Sequence, residues 1–113
     1  MTDCIFCKII SGEIPSNKVY EDEEVLVFHD ISPMAPVHHL VIPKQHICGA
    51  NGIDESNSKV VSHIFEVAAR VAESFHLDAG YRIVTNVGDD AGQTVHHLHF
   101  HILGGTQLPE KMA

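Results

Sequence analysis

The feature that most constrains this chain is the run at residues 95–103 (VHHLHFHIL), in which histidines alternate with apolar residues. Successive side chains of a strand point to opposite faces, so the run predicts a strand with one histidine face and one apolar face. The histidine face holds His97, His99 and His101. The apolar face holds Leu98, Phe100 and Ile102. Three imidazoles in register are costly on an unused core face, so we expect a functional site.

Imidazole chemistry leaves two kinds of site open. Neutral histidine offers one donor and one acceptor, and it can act as a metal ligand or as a nucleophile near neutral pH. Three strand histidines could hold zinc, or one could attack phosphorus while its neighbours bind phosphate oxygens. The preceding loop, residues 88–94 (GDDAGQT), favours phosphate, because Gly88 and Gly92 allow close backbone approach and Gln93 and Thr94 offer donors. A plain hairpin turn is the alternative interpretation of this loop.

Length and composition narrow the class of protein. With 113 residues, 44% hydrophobic and 19% charged, we expect one globular domain over residues 1–113. A net charge of −8 without a basic cluster argues against nucleic-acid and membrane partners. The start, MTDCIFCKII, lacks the pattern of an export signal, so we expect a cytoplasmic protein. The odd cysteine count, Cys4, Cys7 and Cys48, argues against a disulfide framework.

Periodicity predicts two helices and several strands. The helices are a short one at residues 4–10, capped by Asp3, and a long one at residues 59–76 with apolar spacings of three and four. The predicted strands are residues 18–20, 24–29, 38–42, 81–87 and 95–103. No parallel crossover is required, so this order predicts an α+β domain with an antiparallel sheet.

The segment GQTVHHLHFHILGG, residues 92–105, closely resembles the signature of the histidine triad (HIT) superfamily. Three further segments resemble its Hint branch, in the same order: residues 4–23 (CIFCKIISGEIPSNKVYEDE), 28–46 (FHDISPMAPVHHLVIPKQH) and 81–93 (YRIVTNVGDDAGQ). The resemblance implies an α+β fold with an antiparallel sheet of about five strands, one long helix and one short helix. It also implies a homodimer that continues the sheet.

The resemblance also implies an activity. Relatives of this type hydrolyse the P–N or acyl-phosphate bond of purine nucleoside 5′-phosphoramidates, such as adenosine derivatives, through a nucleotidyl-histidine. The implied nucleophile is His99, and the implied catalytic set is His99, His97, His101 and His38. The alternatives are a dinucleoside polyphosphate hydrolase or nucleotidylyltransferase of the same superfamily, and a non-catalytic nucleotide-binding module.

The family pattern implies two groups of substrate contacts. The phosphate group is Asn86, Gly92, Gln93, Thr94, His99 and His101. The nucleoside group is Ile5, Phe6, Ile9, Phe28, His29, Asp30 and Ile31. Without the resemblance, the apolar members of the second group are ordinary core residues and Asp30 is a turn residue.

Cys4 and Cys7 have the spacing of half a zinc site, which indicates zinc only if two more ligands join them. Some bacterial relatives complete such a site with the histidine after VIPK and the first triad histidine, here His46 and His97. The resemblance therefore implies a structural Zn²⁺, with no cofactor required for the chemistry. The alternatives are two free thiols or a redox pair. His97 then has two assigned roles, whereas His39 and His96 are predicted to lie away from the triad as sheet-filling or surface residues.

Overall fold

The structure is a computed structural model and describes residues 3–111. Five antiparallel strands form one sheet in the order β1-β2-β3-β5-β4, and two α-helices pack against it, which confirms the predicted α+β class. The elements are α1 (Ile5–Ser11), β1 (Lys18–Glu21), β2 (Val25–His29), β3 (Val37–Pro43), α2 (Lys59–Ser74), β4 (Tyr81–Val84) and β5 (Phe100–Gly104). Within residues 3–111, no helix has the length and apolar character needed to cross a membrane.

The long helix α2 packs on one face of the sheet. Its buried side chains recur at three- and four-residue spacing, as in Val60, Ile64, Val67 and Val71. They pack on every second residue of the central strands, namely Val25, Val27, Val41, Phe100 and Ile102, and on Leu98. This packing confirms the predicted apolar face of the histidine run and directs the alternate residues to the other side of the sheet.

The short helix α1 covers only part of that other side. Phe6 and Ile9 of α1 pack on Leu26, Phe28, Leu40 and Ile42 of β2 and β3. The helix ends at Gly12, whose φ of 88° is the left-handed conformation typical of a glycine cap. Because seven residues span only about 10 Å of helix, the rest of this face stays open as a cleft. The predicted cap was wrong: the thiol of Cys4, not Asp3, accepts the amide hydrogen bond of Cys7.

The histidine run is less regular than predicted. β5 begins at Phe100 rather than at residue 95, and β4 ends at Val84 rather than at residue 87. Residues 85–99 instead form an irregular connection with a 3-10 turn at Asp89–Ala91. Single hydrogen bonds hold its end: the Leu98 amide donates to Ile47 O (2.6 Å), and the Thr85 hydroxyl donates to His99 O (2.7 Å).

Candidate active site

The open part of the sheet forms a cleft of about 420 Å³ beside α1. Most of the residues predicted to bind nucleoside line it: Ile5, Phe6, Ile9, Phe28, Asp30 and Ile31. Predicted catalytic or phosphate-binding residues also line it: His38, Thr94, His99 and His101. Among the described residues, no lysine or arginine lines the cleft, so its donors to an anion include histidine rings and the Thr94 hydroxyl.

His99 is held in one tautomer by the chain itself. Its Nδ1 lies 2.7 Å from the backbone oxygen of His97, and because a carbonyl can only accept, Nδ1 carries the proton. In the neutral ring the other nitrogen, Nε2, therefore keeps its lone pair. The ring is nearly buried and packs edge-on against Phe6, with centroids 5.1 Å apart. This arrangement is what a nucleophilic imidazole needs, since it must present a free lone pair in a fixed direction.

His38 and His101 form a second pair with defined protons. The Met34 amide donates to His38 Nδ1 (3.0 Å), so the His38 proton is on Nε2. That nitrogen lies 2.8 Å from His101 Nδ1 and 3.4 Å from the Asp30 carboxylate. His101 Nδ1 is then an acceptor, and its own proton is on Nε2. Burial lowers the pKa of His38, and burial with the neighbouring His99 and His38 lowers the pKa of His101 to about 4.

Asp30 belongs both to a turn and to the lining of the cleft. One carboxylate oxygen accepts the Ser32 amide at 2.8 Å, as the turn interpretation predicts. The other oxygen lies 3.4 Å from His38 Nε2, and the residue lines the cleft. A carboxylate at the rim can accept hydrogen bonds from vicinal hydroxyl groups, because it is an acceptor only.

The phosphate group predicted from the sequence is only partly assembled. Thr94 lines the cleft, whereas Asn86, Gly92 and Gln93 do not. The Gln93 side chain is buried and fully used elsewhere: it donates to Cys48 O (2.8 Å) and Val95 O (3.2 Å) and accepts the Gly88 amide (2.9 Å). In this structure the side chain fixes the loop that carries Thr94, and its predicted contact with phosphate stays a prediction.

The structure places the His29 side chain on the face of the sheet opposite the cleft and apart from the other residues predicted to bind nucleoside. Its ring packs edge-on against His39 (4.6 Å between centroids) and Phe75 (6.2 Å), at the end of α2. The cause is strand alternation, because Phe28 points into the cleft and the next residue must point away. His39 lies away from the triad, as predicted, and it is completely buried.

Cys4, Cys7, His46 and His97 come together at the start of α1, with one potential ligand atom from each within 4.8 Å of the others. His97 Nδ1 lies 3.3 Å from Cys4 Sγ, 3.6 Å from Cys7 Sγ and 3.2 Å from His46 Nδ1. Cys7 Sγ lies 3.4 Å from His46 Nδ1. Burial raises the pKa of the Cys7 thiol, and the adjacent Cys4 raises it further.

The donor set fits a tetrahedral metal ion. Zn–S and Zn–N bonds of about 2.3 and 2.0 Å imply ligand–ligand separations of about 3.3 to 3.8 Å, close to those observed here. His97 Nε2 donates to Pro43 O at 2.8 Å, which directs the Nδ1 lone pair toward the cluster. The ring of His97 thus belongs to this cluster, and only its carbonyl serves His99. The four residues could bind a metal such as zinc.

The three histidines of the run do not form a metal site of their own within residues 3–111. The other candidate group consists of Asp30, His38 and His101. Its two imidazoles are already joined by a hydrogen bond that uses the His101 Nδ1 lone pair. In this group His38 Nε2–H donates to His101 Nδ1, so that nitrogen is not free to bind a metal ion. The alternative of zinc held by the histidine face therefore has no support here.

Sequence reasoning missed several contributors. Ser32, Met34, Leu40 and Val95 line the cleft. Met34 also fixes the His38 tautomer through its amide, and its side chain is 82% exposed. An exposed methionine between two prolines was an available signal for Met34. Thr85, whose hydroxyl binds His99 O, carried no such signal, because that contact joins residues from two separate segments.

Comparison with known proteins gives one family. A model of the HIT domain matches residues 11–108. A HIT family hydrolase from Clostridium thermocellum has 48% identity and a TM-score of 0.98, with 100% of this chain and 99% of that one covered. A histidine triad protein from Clostridium difficile has 49% identity and a TM-score of 0.95, with 98% and 97% covered. A HIT-like protein of Helicobacter pylori is 52% identical over 102 residues, 89% of this chain and 95% of its own length.

These similarities extend over the cleft, the histidine run and the cysteine pair, because they cover nearly the whole chain. The chain therefore belongs to the HIT domain family.

Proposed function

We propose that this protein is a nucleotide hydrolase of the Hint type that cleaves the P–N or acyl-phosphate bond of purine nucleoside 5′-phosphoramidates. One observation carries the proposal: the His97 carbonyl fixes the proton of neutral His99 on Nδ1, leaving Nε2 as a nucleophile in a cleft that no lysine or arginine among residues 3–111 lines. The HIT family hydrolases among its relatives support the reaction class.

In the proposed first step, His99 Nε2 attacks the α-phosphorus and forms a P–N bond while the bond to the leaving group breaks. The hydrogen bonds of His38 to the Met34 amide and to His101 Nδ1 place the His101 proton on Nε2. This Nε2–H donates to the leaving group or to a phosphate oxygen. The Thr94 hydroxyl is a second donor for the charge that develops on phosphate. Water then attacks phosphorus, the P–N bond to His99 breaks, and the proton that water loses replaces the one that the leaving group took from His101, which returns both rings to their starting state.

The rest of the cleft fits a purine nucleoside. Ile5, Phe6, Ile9 and Phe28 form an apolar wall against which a flat base can stack. The Asp30 carboxylate at the rim is suited to accept hydrogen bonds from the two ribose hydroxyl groups. A nucleoside monophosphate would then span the cleft from this wall to His99.

The direct test is incubation of the protein with an adenosine 5′-phosphoramidate. We expect release of AMP, and acid quench during turnover should trap nucleotide covalently on His99. The same histidine chemistry would serve a second candidate, a dinucleoside polyphosphate hydrolase or nucleotidylyltransferase. Diadenosine polyphosphates are therefore tested in parallel, and faster turnover of these substrates would identify that candidate. Tight AMP binding with no turnover of either substrate would instead identify a non-catalytic binding module.

We also propose that the cluster of Cys4, Cys7, His46 and His97 holds a structural Zn²⁺. When bound, the metal supplies a tetrahedral cross-link, not reaction chemistry, between α1 and the end of the histidine run. Support comes from the donor types, their separations and the His97 Nε2 hydrogen bond to Pro43 O.

We further propose a homodimer that continues the sheet through β4. The two edge strands differ: β1 has an irregular register between Lys18 and Tyr20 and carries two charged residues, both features that oppose edge pairing, whereas β4 carries one, Arg82. β4 pairs with β5 in regular register and exposes Tyr81. Light scattering should give twice the 12.4 kDa chain mass; a monomer at micromolar concentration would contradict the proposal.

A further inference from the structure

His97 connects the metal-type cluster directly to the candidate nucleophile. Its ring Nδ1 lies in the cluster, 3.3 Å from Cys4 Sγ and 3.2 Å from His46 Nδ1. Its backbone oxygen accepts the Nδ1–H of His99 at 2.7 Å. The same residue therefore contacts both sites, and a displacement of His97 changes the hydrogen bond that fixes His99.

Helix α1 provides a second connection. Ile5 and Phe6 lie between Cys4 and Cys7 in the chain, and both line the cleft. The Phe6 ring contacts the rings of His99 and His97 edge-on, with centroids 5.1 and 5.8 Å apart. A seven-residue helix is not stable alone, so its position depends on what holds it to the sheet. A ligand bound by the two cysteines would hold the cleft wall as well.

The segment that carries His97 and His99 precedes the regular part of β5, so single hydrogen bonds hold it, among them those from the Thr85 hydroxyl to His99 O and from the Gln93 side chain to Val95 O. His97 Nε2 donates to Pro43 O, and the Leu98 amide donates to Ile47 O. Both acceptors lie in the stretch that also carries His46. An ion in the cluster would therefore join α1, this stretch and the nucleophile segment at one point.

The cluster is also reachable from solvent. Cys4 and His46 line a cavity of about 560 Å³, next to the cleft and sharing Ile5, Thr94 and Val95 with it. Both Cys4 and Cys7 are partly exposed. Metal ions and chelators can therefore enter and leave without unfolding of the core.

We propose that metal occupancy of this cluster controls hydrolysis, with His97 as the positioning residue that transmits it to His99. With Zn²⁺ bound, the His97 carbonyl and α1 are held and His99 presents Nε2 to the cleft. Without the metal, both relax and turnover falls. This inference rests on the proposed hydrolase function and adds a regulatory role to a site that would otherwise only stabilise the fold.

The experiment compares metal-free and Zn²⁺-loaded wild-type protein with two variants. His46→Ala removes a ligand that neither lines the cleft nor contacts His99. Cys48→Ser is the matched control, because this cysteine is exposed and outside the cluster. Cobalt(II) binding, followed by its thiolate and tetrahedral absorption bands, reports site occupancy directly. We expect these bands in the wild type and in Cys48→Ser, and their loss in His46→Ala.

Two readouts then report coupling. By NMR without substrate, Zn²⁺ should slow solvent exchange of the His99 Nδ1–H and shift its ring resonances. In the phosphoramidate assay, kcat should be about tenfold higher with Zn²⁺, since a misplacement of the reacting group by a fraction of an ångström has effects of this order. His46→Ala should show the metal-free values for both readouts whether or not Zn²⁺ is added.

The outcomes separate this inference from the proposed function. Metal binding that leaves the His99 signals and kcat unchanged overturns the inference while hydrolysis stands. A Zn²⁺-dependent His99 signal without hydrolysis of any substrate supports the coupling and contradicts the hydrolase function. Absence of cobalt(II) bands overturns the inference. Global unfolding on chelation, seen by circular dichroism, also overturns it, because the cluster would then be needed simply to fold.

Discussion

Replacing His99 by alanine should lower the rate of AMP release from an adenosine 5′-phosphoramidate by at least about 10,000-fold, the order of loss seen when a covalent nucleophile is removed. The reason is specific to this ring, because it is the imidazole of the cleft whose Nδ1–H is fixed by a backbone carbonyl. The loss should appear in kcat, and no covalent nucleotide should be trapped. Measurement requires steady-state kinetics together with acid-quench labelling.

Two variants make this result interpretable. His99→Gln keeps an amide donor for the His97 carbonyl and most of the buried volume, so it should fold and still be inactive. His96→Ala changes another histidine of the run, which is exposed and does not line the cleft, and it should alter kcat less than twofold. Turnover by His99→Gln within tenfold of the wild-type rate would show that another group attacks phosphorus.

The alternation of the histidine run predicted its two faces well. Leu98, Phe100 and Ile102 lie in the core under α2, and His99 and His101 face the cleft. This succeeds because the period of two is a local property of extended chain, which survives even where strand pairing has stopped. The regular strand itself begins only at Phe100, since its partner β3 pairs no earlier residue of the run.

The double assignment of His97 could not be resolved from sequence. Its ring lies in the cysteine cluster, and its carbonyl binds His99. A sequence motif cannot separate these two roles, because it assigns a role to the residue as a whole. The role of Gln93 was missed for a similar reason: its partners Cys48 and Gly88 lie in different segments, and only the folded chain brings them together. The side chain of His29 lies apart from the other predicted nucleoside residues because its neighbour Phe28 occupies the cleft face of β2.

His39 is the buried polar residue with the least support in the described chain. It is fully buried, and neither ring nitrogen has a hydrogen-bond partner among residues 3–111. Its ring instead contacts those of His29 and Phe75, with centroids 4.6 and 4.5 Å away. Burial, followed by the neighbouring His29 and His38, lowers the pKa of His39 from 6.5 to about 4. The folded protein therefore holds this ring neutral at pH values where the unfolded chain protonates it.

This difference predicts acid sensitivity. The unfolded state binds the extra proton between the unfolded pKa near 6.5 and the folded pKa near 4, so stability is full above pH 6.5 and falls as the pH is lowered through this window. From pH 7.5 to pH 5, His39 alone should remove about 2 kcal/mol from the free energy of unfolding. Replacing it with leucine should abolish that part of the decrease and leave the contribution of His101, whose pKa is also lowered to about 4.

Denaturant unfolding at the two pH values, on wild type, His39→Leu and the exposed-site control His96→Leu, measures this effect. The pH-dependent loss should be about 2 kcal/mol smaller in His39→Leu than in the other two proteins. Leucine also removes two buried nitrogens that lack partners, which should raise stability at pH 7.5 by about 1 kcal/mol where the new side chain packs well. Equal pH dependence in all three proteins would mean that His39 takes up its proton as readily when folded as when unfolded. A hydrogen-bond acceptor would then have to reach the protonated His39 ring in solution and stabilise its charge.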